Sequence, residues 1–168
     1  MDDAEALVRH ANNINVARQL RDRFPHPYTR ANASAFLKAA TSAPEASNLA
    51  IDVDGEAVGA IGYVAGVDVE RYSAEIGYWL GESHWRCGIA TEALRLVTEH
   101  VFDAMNLLRL FALPFADNAG SIRVLEKAGY QREAVLHSSS VKYGQPRDQL
   151  LYARINEQWR GVSLTNRK

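Results

Sequence analysis

The stretch Ala74–Met105, AEIGYWLGESHWRCGIATEALRLVTEHVFDAM, decides how the rest of the chain is read. It opens as a strand over Glu75–Leu80, where Ile76, Tyr78 and Leu80 alternate with Glu75, Gly77 and Trp79. A short loop containing Gly88 follows. Beyond it Ile89, Ala93, Leu96, Val97, Val101 and Ala104 recur at helical spacing, with Glu92, Arg95, Glu99 and Asp103 on the opposite face. The first turn of such a helix has free backbone N–H groups at a positive dipole end. Gly88 lacks a Cβ and lets a ligand come close to the backbone. Strand, glycine-bearing loop and helix N-terminus together predict a phosphate seat.

Working outward, the N-terminal side is helical. Asp2–Asn12 carries Ala4, Leu7, Val8 and Ala11 at helical spacing, and Asn15–Arg23 continues as a second helical piece. Phe24-Pro25-His26-Pro27-Tyr28 breaks the pattern, because each proline restrains its predecessor to extended conformations. Thr29 caps a third helix to about Thr41, and Ser42–Ser47 is a loop. Leu49–Val53 and Ala57–Val64 read as strands around an Asp54-Gly55 hairpin turn. On the C-terminal side come a strand over Leu108–Leu113 and a short helix over Asp117–Ala128, with Asn118 as N-cap and Gly129 after its end. Two strands, Tyr130–Val141 and Gln149–Ile155, joined by a Lys142–Asp148 loop, close the chain, and Gly161–Lys168 reads as a frayed tail. Without repeat or linker, residues 1–160 form one domain with an α/β layered fold and a mixed sheet. The organising strand and Leu108–Leu113, joined through a helix, run parallel; where they splay, a ligand fits between them.

Bulk properties remove several classes. The 168 residues carry a formal net charge of −1, which does not support a nucleic-acid surface. No run of about 18 apolar residues predicts a membrane span. The N-terminus MDDAEALVRH has no apolar core of a secretory signal, and the single cysteine, Cys87, forms no internal disulfide; both fit a cytoplasmic protein. P-loop, dinucleotide fingerprint, nucleophile elbow and paired metal-ligand spacings are all missing, so no metal is expected.

Trp85-Arg86-Cys87-Gly88-Ile89-Ala90-Thr91-Glu92-Ala93 resembles the pyrophosphate-binding motif of the GNAT acetyltransferase superfamily, [QR]-x-x-G-x-[GA]. Asp117-Asn118-Ala119-Gly120-Ser121 with Leu125-Glu126-Lys127-Ala128-Gly129-Tyr130 is similar to the N-x-x-S helix and G-[FY] strand start of the same superfamily. The aromatic Glu75–Leu80 strand, Gly144…Asp148…Tyr152 and Phe24-Pro25-His26-Pro27-Tyr28-Thr29 resemble the Rim-type branch, which acetylates protein N-termini. Three features depart from the pattern. Trp85 replaces the usual Arg or Gln, Leu125 stands where many members carry a tyrosine general acid, and the chain starts almost in its first helix where members have a short strand.

The resemblance implies a GNAT fold: a mixed, mostly antiparallel sheet with a splayed parallel pair and helices on both faces. It implies acetyl-CoA as donor, with its pyrophosphate on the backbone of Arg86, Cys87, Gly88, Ile89, Ala90 and Thr91 and its pantetheine along Tyr78, Trp79 and Leu80. Asn118 is a donor contact or only an N-cap. Ser121 is a donor contact, a proton donor to the leaving thiolate, or a first-turn serine satisfied by its own helix. Glu75 is the leading candidate base, acting through water, and His137 a weaker one. The expected activity is transfer of an acetyl group to a primary amine, a protein N-terminus or a small amine or antibiotic, by direct attack in a ternary complex. The acceptor groove is expected between Asn12–Thr29 and Val141–Arg147, in a monomer or homodimer. A non-catalytic acyl-CoA-binding or sensing module is the competing reading.

Overall fold

The computed structural model describes residues 3–42 and 47–161. The described chain runs α1 (Asp3–Ala11), α2 (Ile14–Ala17), α3 (Arg30–Ser42), β1 (Asn48–Val53), β2 (Glu56–Ala65), β3 (Ser73–Leu80), α4 (Ile89–Met105), β4 (Arg109–Ala112), α5 (Ala119–Lys127), β5 (Gln131–Lys142) and β6 (Gln145–Ile155). The strands form one sheet in the order β1-β2-β3-β4-β6-β5. The β3–β4 pair is parallel and the other four pairs are antiparallel. This is the mixed, mostly antiparallel sheet expected. Among the described residues no strand precedes α1.

Local chemistry explains most boundaries. Asp54 and Gly55 both adopt positive φ (54° and 80°), and Asp52 Oδ1 accepts the Gly55 N–H at 3.0 Å. Asn32 Oδ1 accepts from both the backbone N–H and the hydroxyl of Thr29, which fixes the start of α3. Asn118 caps α5 by accepting the Ser121 N–H, and Gly129 follows with φ of 85°. The expected loop at Ser42–Ser47 begins later, because Ser42 still belongs to α3; residues 43–46 lie outside the described residues. Of the expected tail, residues 162–168 also lie outside them.

Two expectations need correction. The second helical piece is only four residues long. Asn13 starts it by accepting the Asn15 N–H at 2.7 Å, and the Arg18 carbonyl near its end goes to the Arg147 guanidinium at 2.9 Å. The closing hairpin has no Lys142–Asp148 loop. It turns on Tyr143-Gly144, both at positive φ (52° and 76°), and β5 and β6 stay paired out to Lys142 and Gln145. Gln145-Pro146-Arg147-Asp148 lacks apolar alternation because this end of the hairpin projects beyond the core.

Helices cover both faces. On one, Leu94, Val97 and Val101 of α4 and Leu125 of α5 pack against Ile76, Leu80, Leu110 and Tyr152. Burying each of the larger of these side chains contributes roughly 1.5–3 kcal/mol. Within this layer Thr98 and Tyr130 share a buried hydrogen bond of 2.8 Å. On the other face Leu7 and Ala11 of α1 and Ala33 of α3 pack with Tyr28, with Phe24 and Trp79 against them.

Candidate active site

The site begins where the sheet stops pairing. β3 and β4 are joined only from Ser73–Glu75 to Arg109–Phe111. Beyond that point the chain after β4 stays with β6: Ala112 pairs with Tyr152, Pro114 O accepts the Leu150 N–H, and Phe115 bridges to Gln149. The rest of β3 stays with β2 as far as Leu80 opposite Gly59. A gap therefore opens between the two halves of the sheet.

The backbone groups facing this gap follow from the register. Gly81 N–H donates to Val58 O and Gly66 N–H to Ser73 O, each at 2.8 Å. Odd-numbered β3 residues thus exchange hydrogen bonds with β2, and even-numbered ones turn their N–H and C=O the other way. Near Ala74 the β4 ladder takes these groups; at Tyr78 and Leu80 no strand among the described residues does. The Leu80 carbonyl is capped by the Trp85 indole N–H at 2.8 Å. The Tyr78 N–H and C=O and the Leu80 N–H are left lining the gap, fit to pair with an extended chain that carries amides.

Just past Leu80 the chain turns into α4. Arg86 and Gly88 adopt positive φ of 65° and 82°, and no side chain caps the helix at Gly88. A Cβ built at Gly88 meets nothing within 4 Å. The first-turn N–H groups of Ile89, Ala90 and Thr91 have no partner within the helix and follow the open position at Gly88, an arrangement suited to a phosphate. Arg86 and Cys87 are exposed beside the turn, with the Cys87 thiol directed at Trp85 O at 3.5 Å.

Across the gap stands α5. The Tyr78 hydroxyl lies 2.8 Å from Ser121 Oγ and donates to Ser121 O at 3.2 Å. Burial pushes the Tyr78 phenol well above its ordinary value, and its hydrogen bond to Ser121 opposes that rise only in part. Asn118 Oδ1 is committed to the Ser121 N–H at 3.1 Å, so the capping role is the one seen. Leu125, at the position discussed for a tyrosine acid, is 0% exposed inside the core.

The opposite face of β3 carries Glu75, Gly77 and Trp79. Trp79 packs edge-on against Phe24 at 5.5 Å. Glu75 sits at the last paired position of the splay and is bound by the Arg21 guanidinium. His137 is remote in character: its side chain is 80% exposed and bonded to Asp148 Oδ2 at 3.0 Å. The Ser138 N–H and His137 hold the Asp148 carboxyl below its ordinary range. Among the described residues no group of three His, Cys, Asp or Glu side chains converges as metal ligands would, and no helix is long and apolar enough to cross a membrane.

On this same face the two ranges expected to flank a groove come together. Arg18, Asp117, Lys142, Tyr143 and Arg147 line a cavity of about 380 Å³. Arg147 is its strut: it donates to Arg18 O at 2.9 Å and Gln19 Oε1 at 3.3 Å, pairs with Asp117, and stacks on Phe115 at 3.8 Å. Neither Arg147 nor the capping role of Trp85 was legible from the sequence, because both depend on partners distant along the chain or on the course of a loop.

Comparison with known proteins gives the class. A family model described as an acetyltransferase (GNAT) domain matches residues 1–131. The uncharacterized N-acetyltransferase YoaA of Bacillus subtilis is 40% identical over 100 residues, 60% of this chain and 56% of that one. The ribosomal-protein-serine acetyltransferase of Escherichia coli is 36% identical over 83 residues, 49% of this chain and 46% of that one. The chain thus spans about half the length of these curated relatives. The structure of Mycobacterium smegmatis RimJ, solved in complex with CoA-disulfide, superposes with a TM-score of 0.81 at 28% identity, covering 92% of this chain and 78% of that one. The split sheet, the uncapped glycine turn and these similarities agree: the chain belongs to the GNAT acetyltransferase family.

Proposed function

We propose that this protein transfers the acetyl group of acetyl-CoA to a primary amine, by direct attack within a ternary complex. The observation that carries the reading is the interrupted β3–β4 pair beside the uncapped N-terminus of α4. The open space over Gly88 fits a diphosphate, and the free backbone groups of Tyr78 and Leu80 fit an amide-bearing arm lying in the gap like an added strand. Acetyl-CoA supplies an activated acetyl group on such an arm.

The residues then divide the work. A backbone N–H at the gap stabilises negative charge developing on the acetyl oxygen. The acceptor nitrogen forms its bond to the acetyl carbon as the carbon–sulfur bond breaks and the electron pair leaves on sulfur. Ser121, beside the gap and next to the Tyr78 hydroxyl, donates a proton to that sulfur. The amine must lose a proton before or during attack. Glu75, at the apex of the splay on the opposite face, takes it through water, with Arg21 fixing the carboxylate. Donor and acceptor enter from opposite faces: α4 and α5 flank the donor seat, and the α2 segment and the β5–β6 hairpin flank the cavity.

Relatives named for ribosomal-protein acetylation support a protein N-terminal amine as acceptor. A cytoplasmic monomer or homodimer is the setting this reading assumes. Thiol release from acetyl-CoA against a panel of peptides and small amines tests it. Acceptor-dependent release with intersecting initial-velocity plots is the expected result. Tight CoA binding without release for any acceptor would instead establish a binding or sensing module.

A further inference from the structure

The cavity on the acceptor face has an uneven charge. Three cations, Arg18, Lys142 and Arg147, line it against one acid, Asp117. Asp22 holds the Lys142 ammonium at 2.8 Å, but the two ends of that pair are unlike: the lysine side chain is 4% exposed and the aspartate 75%. Asp117 is similarly solvated at 68% exposed, against 17% for its partner Arg147. The positive ends are therefore fixed and withdrawn from water while the negative ends are solvated, and an incoming carboxylate can replace either acid without leaving a buried cation unpaired. Among the described residues the Arg18 guanidinium has no hydrogen-bond or ion-pair partner and attracts Glu82 only through space.

Its position joins this cavity to the gap. Asp117 immediately precedes the Asn118 cap that holds Ser121. Phe115, beneath Arg147, belongs to the segment that leaves β4 at the splay. Arg21, three residues beyond Arg18, reaches Glu75. At about 380 Å³ the cavity lies at the lower end of ligand sites, roughly 300–1,000 Å³, enough for a short chain segment.

We propose that this cavity binds a carboxylate carried by the acceptor, so that the preferred substrate is an amine with an acidic group close by, as in a peptide N-terminus with Asp or Glu among its first residues. The proposal rests on the acetyl-transfer reading for the meaning of acceptor. A fixed cationic wall draws in the carboxylate through charge-assisted hydrogen bonds. The same wall disfavours the ammonium form of a nearby amine and helps it to the neutral form that attacks. It also repels polycationic amines.

The test uses the full chain saturated with CoA for binding and supplied with acetyl-CoA for turnover. The probes are C-terminally labelled, amidated peptides differing only in Asp/Glu, Asn/Gln or Lys at the second and third positions, with free aspartate and glutamate as a separate arm. The acidic peptide should bind, and be turned over, about tenfold better than the neutral one and better still than the basic one. Raising salt should shrink that preference. Arg18→Glu, a change at an exposed side chain, should cut it by at least about threefold and improve the lysine peptide. If only the free acids show the preference, the carboxylate site stands with an amino-acid acceptor. Thiol release with no charge preference, or a preference untouched by Arg18→Glu, overturns the carboxylate site and leaves the transferase. Acid-selective binding without release keeps the site and overturns the transferase. Neither binding nor release overturns both.

Discussion

Two glycines allow backbone cost and ligand seating to be separated. Gly88 and Gly55 have nearly the same φ, 82° and 80°, and a Cβ added at either meets nothing within 4 Å. Substitution by alanine therefore carries the same penalty at both: the left-handed conformation costs an L-residue roughly 1–2 kcal/mol, with no steric addition. For a domain of this size each kcal/mol lowers Tm by about 2–4 °C, so both variants should melt about 2–8 °C below wild type. Only Gly88 stands at the head of α4, where the new methyl group would occupy the space a diphosphate needs. Gly55 lies in the β1–β2 turn. With CoA at 100 times its wild-type Kd, wild type and Gly55→Ala should each gain about 2.7 kcal/mol of stability. Gly88→Ala should gain far less, and calorimetric titration should give it a Kd at least about tenfold weaker. Equal CoA stabilisation of the two variants would refute the seat, whatever their Tm values in its absence.

Other perturbations follow from the same geometry. Ser121→Ala should lower kcat about tenfold and leave CoA affinity within about twofold, because a thiol with a pKa near 8.5 leaves fairly well unaided; steady-state kinetics with a parallel CoA titration checks this. Trp85→Phe keeps an aromatic ring, though a smaller one, and leaves the Leu80 carbonyl without its indole donor. It should cost about 1–3 kcal/mol by thermal or urea unfolding and weaken CoA binding. Arg109 makes two hydrogen bonds to Glu133, at 2.7 and 2.5 Å, and holds its carboxyl below the ordinary 4.5. A group lowered in the folded state contributes stability that is full above its ordinary value and lost as pH falls through the folded one. Glu133→Gln should therefore melt lower than wild type at pH 6, with the difference shrinking as pH falls below the ordinary 4.5; a pH-independent difference would contradict it.

Much of this arrangement was legible in the sequence, for reasons specific to each part. The Glu75–Leu80 alternation and the α4 stripe report one buried face each, and burial is what periodicity records. Gly88, Asp54-Gly55 and Gly129 mark positive φ, which local composition also records. The closing hairpin is not legible because its outer half packs on little, so its pairing leaves no apolar alternation, and Tyr143-Gly144 is not among the usual turn pairs. The end of the short α2 is not legible either, because Arg147, about 130 residues away in sequence, holds the Arg18 carbonyl there. Arg21 on Glu75, Arg147 on Phe115 and Trp85 on Leu80 are tertiary pairings that no local pattern encodes.

The splay itself shows why backbone matters more than side chains at this site. The gap leaves at least three backbone groups, on Tyr78 and Leu80, to be met by water or a ligand in place of a strand. Nothing in the side chains of β3 requires that opening. It is imposed by the ladders on either side: β2 holds one half of the sheet through seven residue pairs, and β6 holds β4 through four. A ligand that makes those hydrogen bonds takes the place a neighbouring strand would have. Substitutions at Tyr78 or Leu80 that preserve the strand should accordingly disturb CoA affinity less than a change in the register that holds β3 to β2.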